Sequence, residues 1–459
     1  MVESRGVDAI RRFAEHVAST RDEALPPAAV LAAKTFVLDT LGVGIAGSGD
    51  PLSVRIAKTV AGWGAAEQAT VWGTGQRLPA QGAAFVNAFQ IHCLEYDCVH
   101  EGAVVHVMAA LLSALMAHAE RRGGVTGRDL IVAVAAGVDV AAALGLAAKA
   151  GMTFFRPATA GAFGAAAALS RVEGLDADAL VNVFGIAGGH ACGTMQAHTE
   201  GSRLLPAQIA FNARGALTAL DLAAAGLVGP REVLEGRFGY FRLFEAGAWD
   251  LGLVLPDLGR VWQITRVSHK PFASGRATHA AIDGVLRLQQ RHGFTAADVA
   301  SVCAVVPPLV HRLVGRADVP ASPAQYARLC IPFVVATALL RGSVDVPDFT
   351  PERLTSSEVH ELADRVKVVT DVNPDDNALM PQRIEVVLRS GARHEMRLAS
   401  ALGHPESPLT REQHLVKFRR CWTYGARPLE AERGERLIEL VDRLETVPDV
   451  RELIALTAP

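Results

Sequence analysis

The chain has 459 residues, about three times a typical domain length, so two domains around a large buried core are expected. Half of the residues are hydrophobic but only 6% are aromatic, and alanine recurs through the apolar runs, a composition suited to close-packed helices rather than to a sheet sandwich. A net charge of −3 without a basic run speaks against a nucleic-acid partner, and Cys93, Cys98, Cys192, Cys303, Cys330 and Cys421 lack the paired spacing of a zinc site or disulfide framework, so they read as reduced thiols of a cytoplasmic protein.

Along the chain, residues 1–20 carry Glu3, Asp8, Arg11, Arg12 and Glu15 in an amphipathic pattern without an apolar signal core or cleavage site. From Ile10 to about Val254 apolar residues recur at helical spacing, as in Ala29–Leu41, Gly82–Ile91, Ala109–Ala119, Leu130–Ala147, Thr159–Leu169, Ala179–Ala187 and Ala207–Leu227. The two most apolar stretches, Gly102–Ala119 and Leu130–Ala148, are interrupted by His106 and His118 and by Asp139. They read as buried core helices, with no membrane partner. The pattern then changes: Val261–Val267, Val299–Val306, Arg365–Val372 and Gln382–Leu388 read as short strands, with a hairpin turn at Ser390-Gly391-Ala392, while Arg276–Arg291 and Pro323–Leu340 stay helical. Helix returns at Arg411–Trp422 and Leu429–Leu444. The expected fold is mainly α, with an all-helical domain of residues 1–265 and 402–459 and a smaller α+β domain of residues 266–401.

Four segments carry candidate chemistry. The densest runs from His92 to Glu101 and on to His106. Asp97 and His100 stand three apart, where a helix face would let the carboxylate orient the imidazole, and His106 would approach from a turn or the next helix. A buried His/Asp/His group suits acid–base work, while backbone capping is the alternative. His100-Glu101 with His106 lacks the four-residue spacing of a zinc helix. Next, Arg156-Pro157 before a small-residue helix would hold a carboxylate, or else Arg156 is an exposed cap with Thr159 opening the helix. Lys270, Ser274, Arg276 and His279 gather around a helix start, suited to an anion unless the segment is a solvated linker. Finally, Gln196, His198 and Arg203 lie in a polar stretch between apolar helices, which equally reads as a plain loop. Gly73-Thr74-Gly75 lacks the third glycine of a nucleotide-binding turn.

The segments Phe36–Val43, Asn87-Ala88-Phe89 with Leu94–Asp97, Glu235–Phe241, Lys270–Ser274 with Thr278–Asp283, Pro405–Thr410 and Lys417-Phe418 resemble the signatures of the MmgE/PrpD family, in order and from about residue 10 to 425. That family includes 2-methylcitrate dehydratase, cis-aconitate decarboxylase and iminodisuccinate epimerase. The resemblance implies a polycarboxylate substrate, no metal or organic cofactor, a helical domain completed by the C-terminus, an α+β lid, a cleft between them and a homodimer. It also implies that Glu95 and Asp97 form the acidic segment, His106 is the active-site histidine and Lys270 the lid lysine. The chain departs from the pattern where Arg156-Pro157 replaces His-Pro, and where Leu205 and Gln208 replace a Lys and a His.

Proton removal next to a carboxylate needs a base and cations on the developing enediolate. His106 is the expected base, oriented by Asp97 or Glu95, with His100 as second acid/base and Lys270, Arg156 and Arg276 as cations. The first reading is therefore a dehydratase-type lyase on a hydroxylated di- or tricarboxylate. An epimerase of the iminodisuccinate type is the second and a non-catalytic carboxylate-binding relative the third.

Overall fold

A computed structural model describes residues 8–459; Glu3, at the expected amphipathic start, lies outside them. Ile10, Phe13, Ala14 and Val17 fall on one helical stripe, and α1 (Ala9–Ser19) buries it, with the Asp8 carboxylate accepting the Arg11 N–H as N-cap. There follow α2 (Pro27–Ser48), α3 (Pro51–Ala61), a two-stranded pair of β1 (Ala69–Thr70) and β2 (Arg77–Leu78), α4 (Ala80–His92), the short β3 (Val99–His100), α5 (Ala109–Arg122) and α6 (Gly127–Ala147). The helical body continues through α7 (Arg156–Val172), α8 (Ala177–Gly188), α9 (Gln196–Glu200), α10 (Leu204–Ala224) and α11 (Tyr240–Phe244).

Small residues set how these helices meet. α7 packs against α5, α6, α8 and α10, and a Cβ on Gly137 of α6 would stand 2.6 Å from the Gly164 carbonyl oxygen of α7. Helices α2 and α6 have the length and apolarity of a membrane span, but 67% and 94% of their apolar windows are buried inside the protein. Asp139 on α6 is satisfied within the core: it pairs with His16 of α1 at 3.0 Å and accepts the Gln263 N–H at 2.7 Å.

β4 (Val267–Ser268) pairs antiparallel with β3 and so ties the next part of the chain to the helical body. α12 (His279–His292) follows, then β5 (Val299–Val306), α13 (Pro308–Val314), α14 (Ala324–Ala327), α15 (Ile331–Arg341), α16 (Ser357–Ala363), β6 (Val366–Thr370), β7 (Gln382–Leu388) and β8 (Arg393–Leu398). The sheet order is β6-β5-β7-β8, parallel only between β5 and β6, with α12 and α15 packed on it. Val302, Ala304 and Val306 alternate inward on β5. The chain ends in α17 (Arg411–Thr423) and α18 (Ala431–Asp442), both against α2, and α19 (Arg451–Leu456).

Three expected elements differ. Val261–Val267 is not a strand: residues 263–266 form a 3-10 turn and only Val267–Ser268 pair. Pro323–Leu340 is two helices, because Pro332 has no N–H to continue α14 and instead occupies the first turn of α15. The helix expected at Arg276 begins with a 3-10 turn, and α12 proper starts at His279.

α2 crosses α4 so closely that a Cβ on Gly47 would lie 1.8 Å from the Gln90 carbonyl oxygen. Gly47→Ala is therefore expected to lose about 1–3 kcal/mol of stability, outweighing a gain of about 1 kcal/mol in helix propensity. Urea unfolding of the two proteins measures it, and an unchanged or raised midpoint would contradict the packing described.

Candidate active site

α4 is buried over nearly its whole length and ends at His92, because Glu95 takes a left-handed backbone conformation (φ 52°) that no helix continues. The reversal carries residues 93–98 back over the helix end and points Asp97 at two imidazoles. Asp97 Oδ1 and Oδ2 lie 3.0 and 3.2 Å from His92 Nδ1, and Oδ2 lies 2.9 Å from His106 Nδ1 in the turn before α5. The two rings meet edge to face at 4.6 Å. With Nδ1 of each ring on the shared carboxylate, Nε2 is left for chemistry. His106 Nε2 has no protein partner among the described residues, and His92 Nε2 stands 3.4 Å from Glu95 Oε1.

The strained Glu95 is clamped from the α+β part of the chain. Lys270 Nζ donates to the Glu95 carbonyl at 3.1 Å and to its carboxylate at 3.2 Å, standing 3.9 Å from Asp97; Gln325 Nε2 donates to Glu95 Oε1 at 2.8 Å. On the far side, Lys417 of α17 donates to the Tyr96 carbonyl at 3.0 Å and pairs with Asp39 of α2 at 2.7 Å.

These surroundings push the two imidazoles apart. Burial works against a proton on His92, but the charges of Asp97 and Glu95 outweigh it and raise His92 above its ordinary value. For His106 burial wins over Asp97, with Lys270 and His92 adding to it, and the proton is held less tightly than usual. Burial alone would raise Glu95 and Asp97 as well; the neighbouring histidines, with Lys270 at Glu95, hold Glu95 at about 2 and Asp97 well below the carboxylate range. One site thus contains an imidazole biased toward the acid form and one biased toward the base form.

A small cavity of about 60 Å³ opens onto this group, and His92, Glu95, His106, His198 and Arg276 are its polar lining. His198 is pushed down to about 4 by burial and the charge of Arg316. Leu205 lines the cavity, while Gln208 holds the Thr194 backbone from both sides, accepting its N–H at 2.8 Å and donating to its carbonyl at 3.2 Å.

The other expected residues are engaged by partners within the protein, Arg276 at the cavity wall among them. His100 is not on a helix with Asp97: it belongs to β3, accepts the Ala103 N–H and contacts Gln263, and burial holds it at about 4. Arg156 is no exposed cap but a buried residue opening α7 itself, and its guanidinium grips the Glu245 carboxylate at 2.9 and 2.8 Å. Arg276 holds Glu101 at 2.8 Å and the carbonyls of His269, Ala401 and Leu402. Ser274 bonds Thr278, Gln196 is exposed and bonds Glu200, and Arg203 pairs with Asp50 at 2.7 Å. The residue missing from the expected set is His92, whose signal was a titratable side chain closing an apolar helix before an acidic loop. Gln325, 230 residues from its partner Glu95, has no local signal.

His92, Asp97 and His106 also lie close enough to share a metal ion, as do Asp39, His269 and His414. In the first group Asp97 already binds both Nδ1 atoms. In the second, Asp39 Oδ2, His269 Nε2 and His414 Nε2 are buried without a partner, suited to an ordered water or an ion.

Residues 11–251 match the MmgE/PrpD N-terminal domain and residues 272–446 the MmgE/PrpD C-terminal domain. The cis-aconitate decarboxylase-like protein oryM of Aspergillus oryzae is 30% identical over 94% of this chain and 93% of its own length. The cis-aconitate decarboxylases of mouse and human are each 28% identical over 92% of this chain, and over 88% and 89% of their own lengths.

Removing Glu245 would strand a buried guanidinium. Glu245→Ala is expected to cost about 3–5 kcal/mol in urea unfolding, largely recovered in an Arg156→Met/Glu245→Leu double variant. A loss under about 1 kcal/mol would instead free Arg156 for a ligand.

Proposed function

The chain belongs to the MmgE/PrpD family, and we propose that it is an acid–base lyase that removes carbon dioxide from an unsaturated carboxylic acid. The observation that carries this reading is the pair of imidazoles on one Asp97 carboxylate with opposite proton affinities. The His92 imidazolium gives its proton to the γ-carbon of a β,γ-unsaturated acid, and neutral His106 takes the proton of the departing carboxyl group. The bond between the α-carbon and the carboxylate breaks, its electrons form the new α,β double bond, and carbon dioxide leaves. A carboxylate drawn from water into apolar walls gives up carbon dioxide more readily than one in solution. The decarboxylase names of the relatives support the same leaving group.

Dehydration is the second reading. There His106 takes the proton next to the carboxylate and His92 protonates the departing hydroxyl. It needs a cation on the enediolate, and the Lys270 ammonium stands 3.9 Å from Asp97. Epimerisation would use the same base without a leaving group, and the assembled acid–base pair weighs against a binding-only role.

Proton NMR in heavy water with cis-aconitate, 2-methylcitrate and iminodisuccinate tests the reaction class. A new alkene signal with release of carbon dioxide is expected. An alkene without it means dehydration, and exchange without an alkene means epimerisation. His106→Ala is expected to lower kcat/KM by about 10²–10⁴ in a protein that still folds, and near-normal turnover would remove His106 from the mechanism.

The pH profile follows from the two directions. kcat/KM should fall on the acid side as His106 gains a proton, below the ordinary imidazole value of about 6.5, and on the alkaline side as His92 loses one, above it. A single limb, or a plateau lying wholly to one side of that value, would contradict the assignment.

A further inference from the structure

His198 lies in the short α9 and lines the same small cavity as His92, Glu95 and His106, yet the acid–base pair gives it no task. Arg316, just beyond α13, stands behind it. Its Nη2 donates to the His198 carbonyl at 2.9 Å and to the Leu313 carbonyl at 3.1 Å, and lies 3.4 Å from His198 Nδ1. The guanidinium sits over the Tyr326 ring, 4.8 Å from its centre, and the Tyr326 hydroxyl is itself tied to the Ala317 carbonyl at 2.8 Å. A guanidinium has only donors, so the ring nitrogen facing it is the acceptor and the single ring hydrogen belongs on Nε2. That leaves Nε2, which has no protein partner among the described residues, for the cavity. Held at about 4, the ring is uncharged near neutral pH and serves there as neither acid nor base.

Lys270, Arg156, Arg203 and Arg276 each have a carboxylate of their own. Arg316 has none among the described residues, and its Nη1 is buried without an acceptor. A cation drawn from water without a counter-charge is costly, and an anion in the cavity beyond the ring would lower that cost.

We infer that His198 receives a substrate carboxylate on its Nε2–H, and that Arg316 is the positioning residue that fixes this tautomer and supplies the counter-charge from behind the ring. This deepens the lyase reading and rests on the same cavity holding the reacting end of the substrate.

Calorimetry with cis-aconitate and 2-methylcitrate tests the binding role, in the His106→Ala protein so that turnover does not intrude. Adding His198→Ala or Arg316→Met is expected to weaken the tighter-bound acid by about tenfold to a hundredfold, the worth of a hydrogen bond to a charged group. Unchanged affinity in a folded His198→Ala protein, or no binding of either acid before that change, overturns the inference. NMR of isotopically labelled histidine tests the tautomer in the unaltered chain: the His198 hydrogen is expected on Nε2, and a hydrogen on Nδ1 removes Arg316 from its role whether or not the variants fold. In Arg316→Met the Nδ1 form should appear. Weakened binding on His198→Ala by a chain that neither labels nor decarboxylates an acid in heavy water would sink the lyase reading and keep His198 as a carboxylate group. Turnover with an unchanged KM in His198→Ala would do the reverse.

Discussion

A single buried carboxylate organises the centre of this protein. Asp97 is removed from water, and a charge in that position costs several kcal/mol unless it is surrounded by donors. Its partners come from separate parts of the chain: His92 from the end of α4, His106 from the turn before α5, and the Lys270 ammonium from the segment after β4. To bring them together the backbone reverses at Glu95 in a conformation that costs about 1–3 kcal/mol, held by Lys270 and Gln325. The β3–β4 pairing then fixes the segment that delivers Lys270. Loop strain, strand pairing and ion pairing all serve the geometry around one group.

The distribution of positive charge follows another constraint. Several cations near the cavity are engaged in ion pairs, and Arg156–Glu245 and Arg276–Glu101 hold elements together, while Arg316 rests on the His198 and Leu313 carbonyls with no carboxylate partner among the described residues. Leu205 adds hydrocarbon to the cavity wall, and Gln208 braces the loop at Thr194 instead of offering a charge. The site thus sets two imidazoles on one carboxylate, with most of the surrounding cations held in ion pairs.

The helical body was legible because its signal is local. Apolar residues at helical spacing announced α2, α4 to α8 and α10, and α6, which carries Asp139, is buried in the core. Where the reading failed, distance decided. Asp97 and His100 look like neighbours on a helix, but the left-handed Glu95 breaks that helix, and the carboxylate turns to His92, five residues back. The role of Arg156 depended on Glu245, 89 residues downstream, which no local pattern reveals. Val261–Val267 has strand composition but supplies only a two-residue pairing, because its partner β3 is itself two residues long.

Lys417 reaches back 321 residues to the Tyr96 carbonyl and holds Asp39 on the way. During synthesis α2 and α4 leave the ribosome long before the ammonium that ties Asp39 of α2 to the loop leading into Asp97. The helical core has time to collapse around an unfinished loop, and the Tyr96 carbonyl gains its buried donor only when α17 docks. A chain clipped before α17 would leave Asp39 and the Tyr96 carbonyl without their buried ammonium, so the loop that carries Asp97 depends on a residue 321 positions later.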